Sequence, residues 1–171
     1  MSHVPAGSFR DLFDAHASFV WSTLGRFGVA TAGRDDALQE VFLHVHDLLP
    51  DYDAARPFRP WLFAIAYRVA LQHLRKRGRR REELEPPADV AARAGAHDGQ
   101  HTRDAREIVG RALAAIDIHR RAVFVMKEIE GHDVPEIAEA LGIPLNTAYS
   151  RLRVAREEFR DAVTRLEGEA S

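Results

Sequence analysis

The sequence predicts an all-α protein built as two small helical domains on a flexible linker: a three-helix bundle, then a four-helix unit with a helix-turn-helix. Three observations predict this. Apolar residues recur at helical spacing near both ends of the 171-residue chain, and no stretch alternates as a strand does. Between the two ends lies EELEPPADVAARAGAHDGQHTRD, with adjacent prolines, no aromatic residue and few large aliphatics. Such a segment buries too little surface to offset the entropy of ordering it. The expected domains are therefore 1–81 and 106–171, with 82–105 as linker. Charge follows the same division, with 12 basic and 8 acidic residues before the linker, 2 and 6 within it, and 10 and 12 after it.

In the first domain, Phe9, Leu12, Phe13, His16, Val20 and Leu24 mark one amphipathic helix, and Leu38, Val41, Phe42, Val45, Leu48 and Leu49 a second. Gly33 is expected to break between them. Asp35 or Asp36 would cap the second helix, with Gln39 closing a capping box on Asp36. Pro50 and the loop DYDAARPFRP end that helix, and Pro60 opens a third, with Trp61, Leu62, Ile65, Val69 and Leu74 inward. After the linker, IVGRALAAI forms one helix and Asp117 caps the next, which ends at Gly131. Asp133, Val134, Pro135 and Glu136 make a capping box with proline in the first turn, for a helix that runs to Leu141 and stops at Gly142. The last helix has Ala148, Leu152, Ala155, Phe159, Val163 and Leu166 inward.

Size and composition exclude several function classes. A chain of this length cannot build a large multi-layer enzyme. The absence of Cys removes disulfides, thiolate metal sites and thiol nucleophiles. There is no Gly-rich phosphate loop and no GxSxG motif. The stretch MSHVPAGSFRDLFDAH has neither a basic start nor an apolar run, and no segment nears the roughly eighteen apolar residues of a membrane helix. A soluble, cytoplasmic protein without membrane insertion is expected. The pairs His46-Asp47, His97-Asp98 and His132-Asp133 suggest a helical metal phosphohydrolase, but the second falls in the linker and the third in a turn whose Asp caps a helix. His44 and His46 diverge on their helix. No catalytic residue, metal or cofactor is expected.

Three constellations carry chemistry. Residues Val134 to Arg156 have the layout of a helix-turn-helix, with Ile137, Leu141, Ile143 and Leu152 as shared core and Ala138 small at the crossing. Outward on its second helix lie Asn146, Thr147, Tyr149, Ser150, Arg151, Arg153 and Arg156, types that reach base edges or phosphates. A solvated face on a helical hairpin is the alternative. The second constellation is the run RKRGRRR, with Arg75, Lys76 and Arg77 at its start. It has more cations than a helix C-terminus requires, and so points to a polyanion. Upstream, Tyr52, Phe58, Trp61, Phe63 and Tyr67 interleave with Arg56, Arg59 and Arg68, as in sites that hold unstacked bases. At least one of Trp61 and Phe63 must be core. The third is the face formed by Gln39, Glu40, Leu43, His46 and Asp47, which is informative only if a partner helix covers it.

Together, the stretches DDALQEVFLHVHDLLPDYDAARPFRPWLFAIAYRVALQHLRKRGRR and RALAAIDIHRRAVFVMKEIEGHDVPEIAEALGIPLNTAYSRLRVARE resemble regions 2 and 4 of the bacterial extracytoplasmic-function (ECF) sigma factors of RNA polymerase. The resemblance implies core polymerase as partner, through its β′ coiled coil and β flap, with Gln39, Glu40, Leu43, His46 and Asp47 as contacts. It implies minus-ten promoter recognition and melting by Tyr52, Phe58, Arg59, Trp61, Tyr67, Arg68, Arg75, Lys76 and Arg77. Minus-thirty-five recognition would fall to Asn146, Thr147, Tyr149, Ser150, Arg151, Arg153 and Arg156. It also implies an anti-sigma factor. The chain departs from the family at Ile116-Asp117, Asn146-Thr147, Tyr149, Tyr67-Arg68 and Gln72, so no relative's promoter sequence carries over. A stand-alone helix-turn-helix regulator is the alternative function.

Overall fold

The computed structural model describes residues 8–81 and 100–169, and no strand occurs among them. They belong to two compact units, one within Met1–Val90 and the other within Ala91–Ser171. Residues 82–99 of the expected linker lie outside the described residues.

In the first unit α1 (Phe9–Arg26), α2 (Thr31–Leu48) and α3 (Phe58–Arg81) pack pairwise. Their core holds Leu12, Val20, Leu24, Phe27, Val41, Val45, Phe58, Leu62, Phe63 and Val69. Ser8 caps α1, where its backbone N–H donates to the Asp11 carboxylate at 2.8 Å and the Asp11 N–H returns a bond to Ser8 Oγ at 3.4 Å. The expected cap of α2 is corrected. That helix starts at Thr31 behind Ala30, which offers no side-chain bond, and the reversal is made at Gly28, whose φ of 88° suits glycine. Gly33 is simply helical. Similarly, α3 begins at Phe58, two residues before Pro60, because a first-turn residue has no N–H bond for proline to break. Phe9 and Leu48, expected inward, sit on the rim.

The second unit holds α4 (Gln100–Ala115), α5 (Ile118–Phe124), α6 (Val134–Leu141) and α7 (Leu145–Glu169), with α7 the common partner of the other three. The first of these starts upstream of residue 106, since nothing between Gly99 and that point breaks a helix once its packed half has nucleated. A π turn, Val125–Ile129, continues α5, with the Glu130 N–H donating to the Val125 carbonyl at 3.0 Å.

The two units share a device the sequence reading missed. The fourth residue of α2, Arg34, donates from Nε and one Nη to the Val29 carbonyl at 3.2 and 3.0 Å. The fourth residue of α5, Arg121, donates likewise to the Ile116 carbonyl at 3.2 and 2.8 Å, and to the Ala114 carbonyl at 3.0 Å. Val29 and Ile116 each immediately precede the helix N-cap, so each arginine ties its helix to the turn that delivers it, and Arg121 reaches the end of α4 as well. Both side chains are buried, and burial pushes their pKa values down, with Asp117 partly opposing this at Arg121. Arg34 also lies 5.1 Å over the Trp21 ring, and a Cβ on Gly25 would come within 3.0 Å of its guanidinium.

Candidate nucleic-acid interface

The loop between α2 and α3 closes on itself. The Tyr52 hydroxyl donates to the Arg56 carbonyl, and the Asp53 carboxylate accepts from the Ala55 N–H at 2.9 Å. Burial and the adjacent Asp53 charge push the Tyr52 pKa up, which keeps its hydroxyl a donor. This loop sets Tyr52 against two aromatics of α3, its ring centroid 5.5 Å from Phe58 and 4.7 Å from Trp61. Phe58 has no exposed surface and Tyr67 is buried against Phe27 at 5.4 Å, so the structure places these two candidates behind the site. Tyr52 and Trp61 remain half-buried.

Among the basic candidates, Arg59, Arg68, Arg75 and Lys76 are exposed and Arg77 is half-buried. Trp61, Arg68 and Arg75 recur every seven residues and so share one face of α3, whereas Arg59 lies about 200° around the helix from Trp61. Arg59 instead reaches α1, its guanidinium 4.3 Å over the Phe19 ring. One turn earlier on α1, His16 packs on Phe58 at 4.9 Å. Burial first, and the Arg59 charge second, lower the His16 pKa and favour the neutral ring. Sequence reasoning placed His16 in the apolar stripe and passed over Phe19. The i, i+3 spacing of two rings on α1 was the available signal.

The α2 face is distinct from this site. Gln39, Leu43, His46 and Asp47 are exposed along one side of the helix, and Leu43 is 66% exposed. Phe9 extends the apolar surface, its ring 5.3 Å from His46. Glu40 turns aside, accepting from the His73 ring of α3 at 2.8 Å.

In the second unit the turn after α6 is closed by Gly142, whose φ is 65°. Its N–H donates to the Glu139 carbonyl at 3.2 Å and that of Ile143 to the Ala138 carbonyl at 3.0 Å, the two bonds of a glycine-terminated helix. The Glu136 carboxylate accepts from the Asp133 N–H at 3.4 Å, completing the expected box. Ile137, Ala138, Ala148 and Leu152 are buried in the hairpin. On α7, Asn146, Tyr149, Ser150 and Arg153 share an exposed face, and Arg153 pairs with Glu157 at 2.9 Å. Thr147 and Arg151 are half-buried beside it. Arg156, seven residues after Tyr149, continues along the same side of α7, but its guanidinium is held by Glu128 at 2.8 and 2.6 Å. Of the His-Asp pairs, the His46 ring lies 3.4 Å from its own neighbour Asp47. Among the described residues no three His, Asp or Glu side chains are grouped to hold a metal, and no helix is long and apolar enough to cross a membrane.

Comparisons with known proteins agree with this layout. Residues 12–80 match the Sigma-70 region 2 family and residues 106–159 the Sigma-70, region 4 family. The chain is 29% identical over 167 residues to the ECF RNA polymerase sigma factor SigE of Mycolicibacterium smegmatis, covering 96% of this chain and 65% of that longer protein. It is 30% identical over 162 residues to the RNA polymerase sigma factor CnrH of Cupriavidus metallidurans, covering 89% of this chain and 84% of the relative. The solved structure of CnrH in complex with the cytosolic domain of CnrY superposes with a TM-score of 0.64 at 26% identity, over 91% of this chain and 87% of that one. With both regions matched in order on two helical units, the chain belongs to the ECF RNA polymerase sigma factors.

Proposed function

We propose that this chain binds core RNA polymerase in the cytoplasm and directs it to promoter DNA, with residues 1–81 as the minus-ten unit, 106–171 as the minus-thirty-five unit and 82–105 as the tether. The chain performs no covalent step. The polymerase makes RNA, and the binding energy of this subunit melts and positions the promoter. Supporting this is the presence of both sigma regions in order, each on a unit with an exposed and chemically suited face. Leu43 and its polar neighbours on α2 suit a helical partner such as the polymerase β′ coiled coil, while the second unit meets the β flap. Tyr52 and Trp61 suit a base that has left the stack, which can be read on its pairing edge only once extruded, while Arg59, on the other side of α3, suits a phosphate. Arg68, Arg75, Lys76 and Arg77 suit the backbone. Asn146, Tyr149, Ser150 and Arg153 enter the major groove at the minus-thirty-five element, flanked by Thr147 and Arg151. Because CnrH was solved with the cytosolic domain of CnrY, an anti-sigma partner for this chain is part of the same reading.

The test is binding of purified protein to bacterial core polymerase in competition with a primary sigma factor. Competitive binding is expected. Failure of folded protein to bind, with any anti-sigma partner removed and across several salt concentrations, points to a stand-alone helix-turn-helix regulator.

A further inference from the structure

An acidic residue stands on the face of α7 that carries the DNA candidates. Around the helix, Arg153, Asn146 and Ser150 lie about 40°, 60° and 100° from Tyr149, and Glu157 lies about 80° from it, inside that arc. From Leu145 to Arg156 the helix carries no acid, so Glu157 is its first. A lone carboxylate at this place would repel a polyanion. It is not alone, since the Arg153 guanidinium donates from Nη1 to the Glu157 carboxylate at 2.9 Å. Stability does not account for the pair. Both side chains are more than half exposed, at 67% and 51%, and a basic residue placed before the acidic one is the weaker order for an i, i+4 pair.

The pair divides the edges of the cation. One carboxylate oxygen holds one amino group, and Nε and Nη2 of Arg153 have no partner among the described residues. Those two N–H groups are parallel donors, a match both for a phosphate and for N7 and O6 of guanine. The carboxylate decides between the two, because it repels the charge of a phosphate and not the neutral edge of a base. Arg156, further along the same side of α7, shows the opposite division: Glu128 takes its Nε and Nη2 together, at 2.8 and 2.6 Å, which closes that edge to a base. We propose that Glu157 is a positioning residue for base reading: by holding Nη1 of Arg153 it presents the Nε–Nη2 edge to a guanine of the minus-thirty-five element. This rests on the major-groove placement of α7 given above. Glu157 itself touches no DNA, and it acts only through the cation it holds.

The experiment uses polymerase holoenzyme and a template library randomised across the minus-thirty-five element of a promoter mapped by run-off transcription with this holoenzyme, each transcript carrying a barcode for its template. Arg153→Ala, Glu157→Gln, Glu157→Asp and the Arg153→Ala, Glu157→Gln double variant are compared. Unaltered protein should prefer guanine at one position by about five- to 150-fold, the discrimination of one bidentate contact. Arg153→Ala should erase that preference and leave the other positions as they were. Glu157→Gln should cut it about two- to five-fold, the size of an exposed ion pair, at the same position alone. Glu157→Asp should keep it, since arginine and aspartate also pair at this spacing. In the Arg153→Ala background Glu157→Gln should change nothing further there. Full guanine preference with Gln, equal losses for Gln and Asp, or losses spread over every position would overturn the role of Glu157, the last marking a merely structural residue. If Arg153→Ala leaves the base preferences intact, or erases preference for a base other than guanine, the reading by Arg153 fails, and this inference with it. If unaltered protein does not bind core polymerase, the sigma reading fails first.

Discussion

Replacing Arg121 with Met should destabilise the second unit and leave the first untouched. The Arg121 guanidinium donates three hydrogen bonds, at 3.2, 2.8 and 3.0 Å, to the Ile116 and Ala114 carbonyls from a side chain only 8% exposed. Hydrogen bonds from a charged donor contribute about 1.5–3 kcal/mol each, and a buried carbonyl left without a donor costs about 1–3 kcal/mol. Methionine fills similar space and has no charge to desolvate, so the full sum is not lost, and a net loss of about 3 kcal/mol is expected. A folded unit of roughly seventy residues has about 4–10 kcal/mol of stability, so the substitution removes a large share. With a urea slope of about 1 kcal/mol per M for a unit this small, its midpoint should fall by about 3 M. The assay exploits the tryptophans. The chain has two, Trp21 and Trp61, both in the first unit, so fluorescence follows that unit alone while far-UV circular dichroism follows both. Circular dichroism should gain an early unfolding phase, with the fluorescence midpoint unmoved. A loss under about 1 M, or an equal shift in fluorescence, would refute the assignment of Arg121 as the tie between α4 and α5.

Three further outcomes are expected. Leu43→Asp should weaken core-polymerase binding at least about tenfold, as for a residue central to an interface, with circular dichroism unchanged because Leu43 is 66% exposed. Unaltered affinity would remove Leu43 from that contact. Arg153→Ala should reduce initiation at promoters that depend on the minus-thirty-five element while polymerase binding persists, and footprinting of holoenzyme with and without that element separates the two effects. For His16 the sign follows from a native pKa held below its ordinary 6.5. The unfolded chain then binds the proton more readily, so the stability due to neutral His16 is complete above about 6.5 and is lost as pH falls through the native value. The urea midpoint read by fluorescence should decline on acidification, and His16→Phe should flatten that decline. An identical pH profile for the variant would show that His16 contributes nothing to it.

The helices and the second unit's turns were legible because their signals are local. Asp117 accepts from the His119 N–H at 3.0 Å, Asp133 pairs with Glu136, and Gly142 takes the left-handed conformation, each within a few residues of the feature it terminates. Features that depend on chain segments meeting in space were not legible. Nothing near Arg34 or Arg121 in the sequence marks their role, and only the folded turn shows that each reaches a carbonyl behind its own helix. Glu40 belongs by spacing to the face expected to meet polymerase, and its bond to His73, 33 residues away, is visible only in the fold. Phe58 and Tyr67 sit among arginines in sequence, yet three helices converge where their rings fall, which puts them in the core. The start of α2 was misplaced because Gly28 and Gly33 look alike in a sequence, and only the backbone of Gly28 takes a positive φ.

The π turn at Val125–Ile129 gives the second unit a spare residue. A wide turn of this kind holds one residue more than the regular helix it interrupts. A single-codon deletion within it would leave an ordinary α-helix whose two ends keep their mutual orientation. The same deletion midway along α7 would swing every later side chain by about 100°. The gene can therefore shorten by one codon at Val125–Ile129 without changing the direction in which α6 and α7 are delivered, so natural length variants of this unit are expected to map to that turn.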